Sequence, residues 1–174
     1  MWIRFSPAFI IVPILLAGCG QPQQKGSPPH PGQLKEPLIK INKTARKSED
    51  ERINAYCDRH KWQMELSQTG LRYHIYTHGD GEMTQPGDTV TFNYIVTLLS
   101  GDTVYSSDQD GPKTVVLGKA QIERGLEEGI LMLCEGDRAK FILPSHLAFG
   151  LVGDGRKIPA RAALVYDIEL LKTR

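Results

Sequence analysis

Ser106, Asp108 and Asp110 alternate ahead of Gly111, the order of oxygen ligands in the first half of a calcium-binding loop. The position that should close such a loop with a bidentate carboxylate is Leu117, so the segment reads as a polar turn without its strongest ligand. His74 and His78 share one face of a strand by period-2 geometry, yet no third or fourth metal ligand follows at a suitable spacing. Cys134 lacks a basic partner that would make it a nucleophile. Glu127 and Glu128 are adjacent on a short helical stretch and point in different directions, so they do not form an acid/base pair. No nucleophile, general base or metal set emerges, which restricts the chain to chemistry that needs none.

The elements around these residues predict an α+β fold, a strongly bent antiparallel sheet wrapped around one short helix. Leu71 to Thr77 reads as a strand, Gly79-Asp80-Gly81 as a turn, and Pro86-Gly87-Asp88 as the tight turn into Thr89 to Leu99, dense in Val, Ile, Thr, Phe and Tyr. Ser100-Gly101-Asp102 turns the chain back into Thr103 to Ser106. Gly118 ends an extended run, Gln121 to Glu128 is the helical stretch, and Gly129 is expected to break it before a strand resumes near Ala139. About 100 residues suffice for one core and no second domain.

The ends carry different information. Arg4, the apolar run Phe5 to Leu16 and the small residues before Cys19 are the three regions of an export signal, assigned to residues 1–18 and too short to span a bilayer. Leu16-Ala17-Gly18-Cys19 looks like a bacterial lipobox, with Cys19 as the lipidated first residue of the mature chain. Residues 19–47 read as a flexible tether, because prolines recur among Gln, Gly, Ser and Lys without an apolar period. Ser48 and Glu51 fit a capping box, and Ile53, Cys57, His60 and Met64 form one stripe, so an amphipathic helix from about 49 to 66 is expected to dock onto the domain, with His60 at the core edge and Gly70 as its stop. Cys57 and Cys134 sit in apolar contexts and are expected to stay unpaired. Residues 71–174 then form the globular domain. From Ser48 onward 14 Lys/Arg face 19 Asp/Glu, 14 − 19 = −5, a balance that argues against nucleic-acid binding.

Arg124-Gly125-Leu126-Glu127-Glu128-Gly129, Ala148-Phe149-Gly150 and the run Leu164 to Leu171 stand in an order and spacing that resemble the FKBP family, the macrolide-binding immunophilins that act as peptidyl-prolyl isomerases. The resemblance covers roughly Pro86 to Leu171 and implies an FKBP-like half-barrel that needs no cofactor or metal and takes proline-containing peptides. It places the family's pocket aromatics on Tyr94, Tyr105, Phe149 and Tyr166, its aliphatic walls on Ile122 and Ile158 and its floor on Leu126, and it makes the Glu123 backbone N–H the donor to the substrate carbonyl. Leu126 stands where the family usually has tryptophan, Ser106 where it has an aspartate beside the substrate, Phe149 where it has tyrosine, and Lys113 and Val115 where it has phenylalanines. These departures predict looser specificity, weak macrolide binding and modest turnover.

Such an activity agrees with the missing catalytic motifs. Rotating an X-Pro amide breaks no covalent bond; the barrier of about 18 to 20 kcal/mol is lost resonance. An apolar aromatic cavity favours the less dipolar twisted amide over the planar one. Uncatalysed exchange takes tens to hundreds of seconds, slow enough to limit folding. Lipobox, spacer, charged helix and the Gly70-Leu71-Arg72-Tyr73 entry also resemble the FKBP-like lipoproteins of Bacteroidetes, some of them associated with gliding motility. Together the two resemblances imply an isomerase anchored by lipid at the bacterial outer membrane or the periplasmic face of a membrane, acting on exported proteins. The alternative is a non-catalytic scaffold lipoprotein that holds a partner in an altered pocket.

Overall fold

The densest alternation of Val, Thr, Phe and Tyr in the chain lies in the strand Thr89–Leu98, and the sheet is built around it. A computed structural model describes residues 31–174, and the unit that carries the site runs from Ile39 to Arg174. In chain order its strands are β1 (Glu65–Leu66), β2 (Arg72–Thr77), β3 (Thr89–Leu98), β4 (Thr103–Ser106), β5 (Lys113–Val116), β6 (Arg138–Leu143) and β7 (Leu164–Lys172). The helices are α1 (Pro31–His60), α2 (Ser107–Asp110) and α3 (Arg124–Ile130). All strand pairs are antiparallel, in the order β1-β2-β6-β7-β3-β4, with β5 also paired to β3.

One edge of β3 is held by β7, while the other is shared, Thr89 to Phe92 with β5 and Ile95 to Thr97 with β4. The partner change and the register shift at Val96/Thr97 belong to a strongly curved sheet. Register brings Tyr73, Phe141, Tyr166, Val96 and Tyr105 into one row across five strands, all on the concave face. Phe92, Phe141, Leu126, Ile130, Leu133 and Ile168 are fully buried on that side.

Helix α3 starts and ends later than the expected Gln121 to Glu128. Gln121 instead accepts a hydrogen bond from the Val116 N–H at 2.8 Å, and Glu123 is the N-cap residue. Gly129 does not break the helix. It lies inside it, where an added Cβ would stand 2.9 Å from the Phe141 ring, so the glycine lets the helix settle onto the sheet.

The convex face is covered by α1. Ile53, Tyr56 and Cys57 pack on Ile142, Ala163 and Val165, which have the opposite parity from Phe141 and Tyr166. This is the expected docking, but the helix differs in extent. It spans Pro31–His60, so the part of the tether from residue 31 to 47 is helical, and the chain turns at Lys61 with φ 55° instead of continuing to 66. No glycine interrupts residues 33 to 69, and Pro31 occupies the first turn, where its missing N–H costs nothing. Residues 1 to 30, including Cys19 and the start of the tether, lie outside the described residues.

Ser48 is therefore mid-helix and caps nothing. Glu49 is the buried acid instead, accepting from the Ser145 N–H at 2.8 Å and the Ser145 hydroxyl at 3.1 Å. The buried Arg72 guanidinium donates to Asn54 at 2.8 Å and pairs with Asp50 at 3.5 Å, a second polar tie between helix and sheet. His60 is exposed and bonded to the Tyr56 carbonyl at 2.9 Å. Met64 lies beyond the helix, yet its sulfur meets Cys57 Sγ at 3.8 Å, so the predicted stripe is completed by a turn. The thiols of Cys57 and Cys134 are both free.

Candidate functional site

The concave face does not close on itself. Between the sheet, α3 and the loop after β6 lies a cavity of about 450 Å³, lined by Phe92, Tyr94, Val96, Tyr105, Lys113, Glu123, Leu126, Phe149, Asp154, Arg156, Ile158 and Tyr166. Strand parity explains most of this wall. Phe92, Tyr94 and Val96 are alternate residues of β3, opposite Leu170, Ile168 and Tyr166 of β7. Tyr105 joins from β4 opposite Val96, and Leu126 rises from α3 as the buried floor.

Of the nine residues implicated by resemblance, seven meet here: Tyr94, Tyr105, Phe149, Tyr166, Glu123, Leu126 and Ile158. Ser106 does not. It follows Tyr105 in an extended strand and pairs with the outward-facing Ile95, so parity turns it away from the cavity. Ile122 is also absent from the wall, because its side chain packs against the main core ahead of α3. Val115 is core, while Lys113 stands exposed at the mouth. Asp110 lies beside the Tyr94 phenol.

Asp154 is the polar residue that sequence reasoning misses. Its Oδ1 accepts from the backbone N–H groups of Arg156 and Ile158, both at 2.8 Å, and its Oδ2 accepts from the Tyr105 phenol. Although Ser106 replaces the aspartate that the resemblance led one to expect, Asp154 puts a carboxylate back into the cavity from another loop. Its Gly-Asp-Gly setting was a legible Asx-turn signal. Phe92 and Val96 were legible too, two residues either side of Tyr94.

The phenols stay neutral. Tyr166 is pushed well above its ordinary pKa, first by burial and then by the neighbouring Glu123 carboxylate. Tyr94 is raised by burial and by Asp110, and Tyr105 chiefly by its hydrogen bond to Asp154. Partial desolvation would raise the Asp154 pKa, but the bonds from Tyr105, Arg156 and Ile158 outweigh it and bring it down to about 2. Among the described residues the Glu123 N–H makes no hydrogen bond, which leaves a donor at the cavity wall for a peptide carbonyl.

A depressed carboxyl pKa stabilises the fold above the unfolded value of 3.8 and loses that contribution as pH falls through about 2. Asp154 should therefore hold its loop until roughly pH 4 and release it between about 4 and 2. Melting temperature followed from pH 5 to 2 is expected to fall more steeply for the native chain than for Asp154→Asn. Parallel curves would remove the carboxylate from this role.

A family model of FKBP-type peptidyl-prolyl cis-trans isomerase matches residues 81–171, just over half of the chain and the whole of this cavity. The chain belongs to this family. It is accordingly an isomerase by class. Similar relatives include FK506-binding protein 2 of Dictyostelium discoideum, 38% identical over 51% of this chain and 67% of that protein. FK506-binding protein 1A of Emericella nidulans is 37% identical over 59% of this chain and 97% of that one. The probable FKBP-type isomerase FkpA of Neisseria meningitidis is 38% identical over 60% of this chain, which spans only 38% of that relative. Among solved structures, FkpA from Escherichia coli is similar at a TM-score of 0.65 and 31% identity, covering 79% of this chain and 64% of that one. The cavity of this chain has a leucine floor, Leu126, and two carboxylates, Glu123 and Asp154, in its wall.

Proposed function

We propose that this chain catalyses cis-trans isomerisation of X-Pro bonds in exported proteins, held by acyl chains on Cys19 at the outer membrane or the periplasmic face of a bacterial membrane. The observation that carries the activity is the open cavity walled by Tyr94, Tyr105, Phe149 and Tyr166 over Leu126. Proline enters between the rings, the Glu123 N–H holds a carbonyl, and the apolar surroundings favour the twisted amide over the planar one. Anchoring is supported by the export signal and lipobox-like residues 16–19, and the overall layout resembles the Bacteroidetes FKBP-like lipoproteins.

The test is acceleration of prolyl exchange in a short peptide and in a protein whose refolding is limited by proline. Tyr94→Ala and Tyr166→Ala are each expected to lower kcat/KM about tenfold, or about 1.4 kcal/mol of transition-state packing. No acceleration in either format would sink the catalytic reading in favour of a partner-holding scaffold. Labelling of cells with a fatty acid, compared between the native chain and Cys19→Ser, tests the anchor; label retained by the serine variant would refute it.

A further inference from the structure

Each phenol of the cavity has a carboxylate beside it, contributed by a different segment. Tyr105 donates to Asp154, Tyr166 faces Glu123, and Tyr94 faces Asp110. Among the described residues, none of the three acids takes part in an ion pair. Asp154 is satisfied by three donors, but Glu123 is not: its Oε2 is buried in the cavity wall without a hydrogen-bond partner. A buried carboxylate oxygen left unpaired is costly; among the described residues the Tyr166 phenol beside Glu123 is near enough to serve the carboxylate, and a cationic donor from whatever fills the cavity would satisfy the free Oε2 more strongly.

Resting on the isomerase reading above, we propose that Glu123, backed by Asp154, makes this cavity select proline segments that carry a lysine or arginine next to the proline. An ammonium or guanidinium reaching from that neighbour supplies the missing donor to Oε2 in a charge-assisted bond. The tyrosine rings add to the attraction, since the face of an aromatic ring favours a cation. The chain already displays that preference on itself, with Lys157 Nζ 5.0 Å from the centre of the Tyr105 ring. Lys113, Arg156 and Lys157 around the mouth oppose the effect only weakly, because all three are exposed and screened by solvent and salt. A leucine beside the proline leaves Oε2 unpaired, and a glutamate places a second negative charge against it.

The experiment measures kcat/KM of the full-length chain on three peptides that differ only in Lys, Leu or Glu beside the proline, with the variable residue before it in one series and after it in another. In at least one series lysine is expected to be favoured over leucine about tenfold and over glutamate by more, given the strength of hydrogen bonds to charged groups. In Glu123→Gln the lysine-to-leucine ratio should collapse toward one, whatever happens to the absolute rate. Equal rates on all three peptides, or a lysine preference retained by Glu123→Gln, would overturn the assignment while leaving an active isomerase. Failure to accelerate any peptide would instead remove the isomerase reading on which it rests.

Discussion

Replacing Gly153 with alanine is expected to lower kcat/KM about a hundredfold while the sheet stays folded. Gly153 has φ 71°, a region that side chains disfavour, and a Cβ there would stand 2.2 Å from the Ile158 carbonyl oxygen and 2.8 Å from the Pro159 carbonyl carbon. Both obstacles are backbone, so no rotamer change relieves them and the loop must open. That loop is closed by the bond from the Asp154 N–H to the Ile158 carbonyl at 3.2 Å and by the Asp154 carboxylate. It carries Asp154, Arg156 and Ile158, one side of the cavity. A displacement of about 1 Å in positioning groups can cost about a hundredfold in rate. Strands β2 to β7 contain none of these residues, so the circular dichroism spectrum should be unchanged and the melting temperature should move by only a few degrees. Activity within about threefold of the native chain would mean that this loop does not shape the reacting site.

The same loop marks where sequence reading stops. Strands β3 and β4 were legible because alternation of apolar and polar residues is a local property of the chain, whereas the run that forms β7 stood out only through its resemblance to the family; the row Tyr166, Val96 and Tyr105 follows once parity and register are known. The motif around Leu126 located the floor. Asp154 required knowing that a loop folds back so that its carboxylate meets a phenol on β4, a contact between residues 49 positions apart. Glu123 was legible only as a backbone donor; that its side chain enters the wall depends on the extended entry into α3, with ψ 143°. Ser106 failed for the converse reason, since matching a motif position says nothing about which face a strand presents locally. The prolines between residues 31 and 47 suggested a tether, but helix-forming neighbours and the lack of glycine after Gly32 prevailed.

Truncating Phe141 to alanine should produce the largest loss of stability of any change considered, about 3 to 5 kcal/mol. Phe141 is fully buried between Tyr73 and Tyr166 in the row that runs from Tyr73 to Tyr105, and α3 rests on its ring through Gly129. Domains of this size are held by about 5 to 15 kcal/mol, so the variant should melt on the order of 10 °C lower or more. The contact with Gly129 allows a sharper test than the truncation alone. In the native chain Gly129→Ala puts a methyl group 2.9 Å from an immobile ring, and about 1 to 3 kcal/mol of strain should outweigh the helix-propensity gain of about 1 kcal/mol. With Phe141→Leu the obstructing ring is gone, and the same Gly129→Ala change should cost nothing or stabilise. A double-mutant cycle in urea is therefore expected to give a coupling of about 1 to 3 kcal/mol between the two positions. Additive costs would mean that α3 does not bear on Phe141. In that case the seating of Leu126 and Glu123 over the sheet would need another explanation than the small residue at 129.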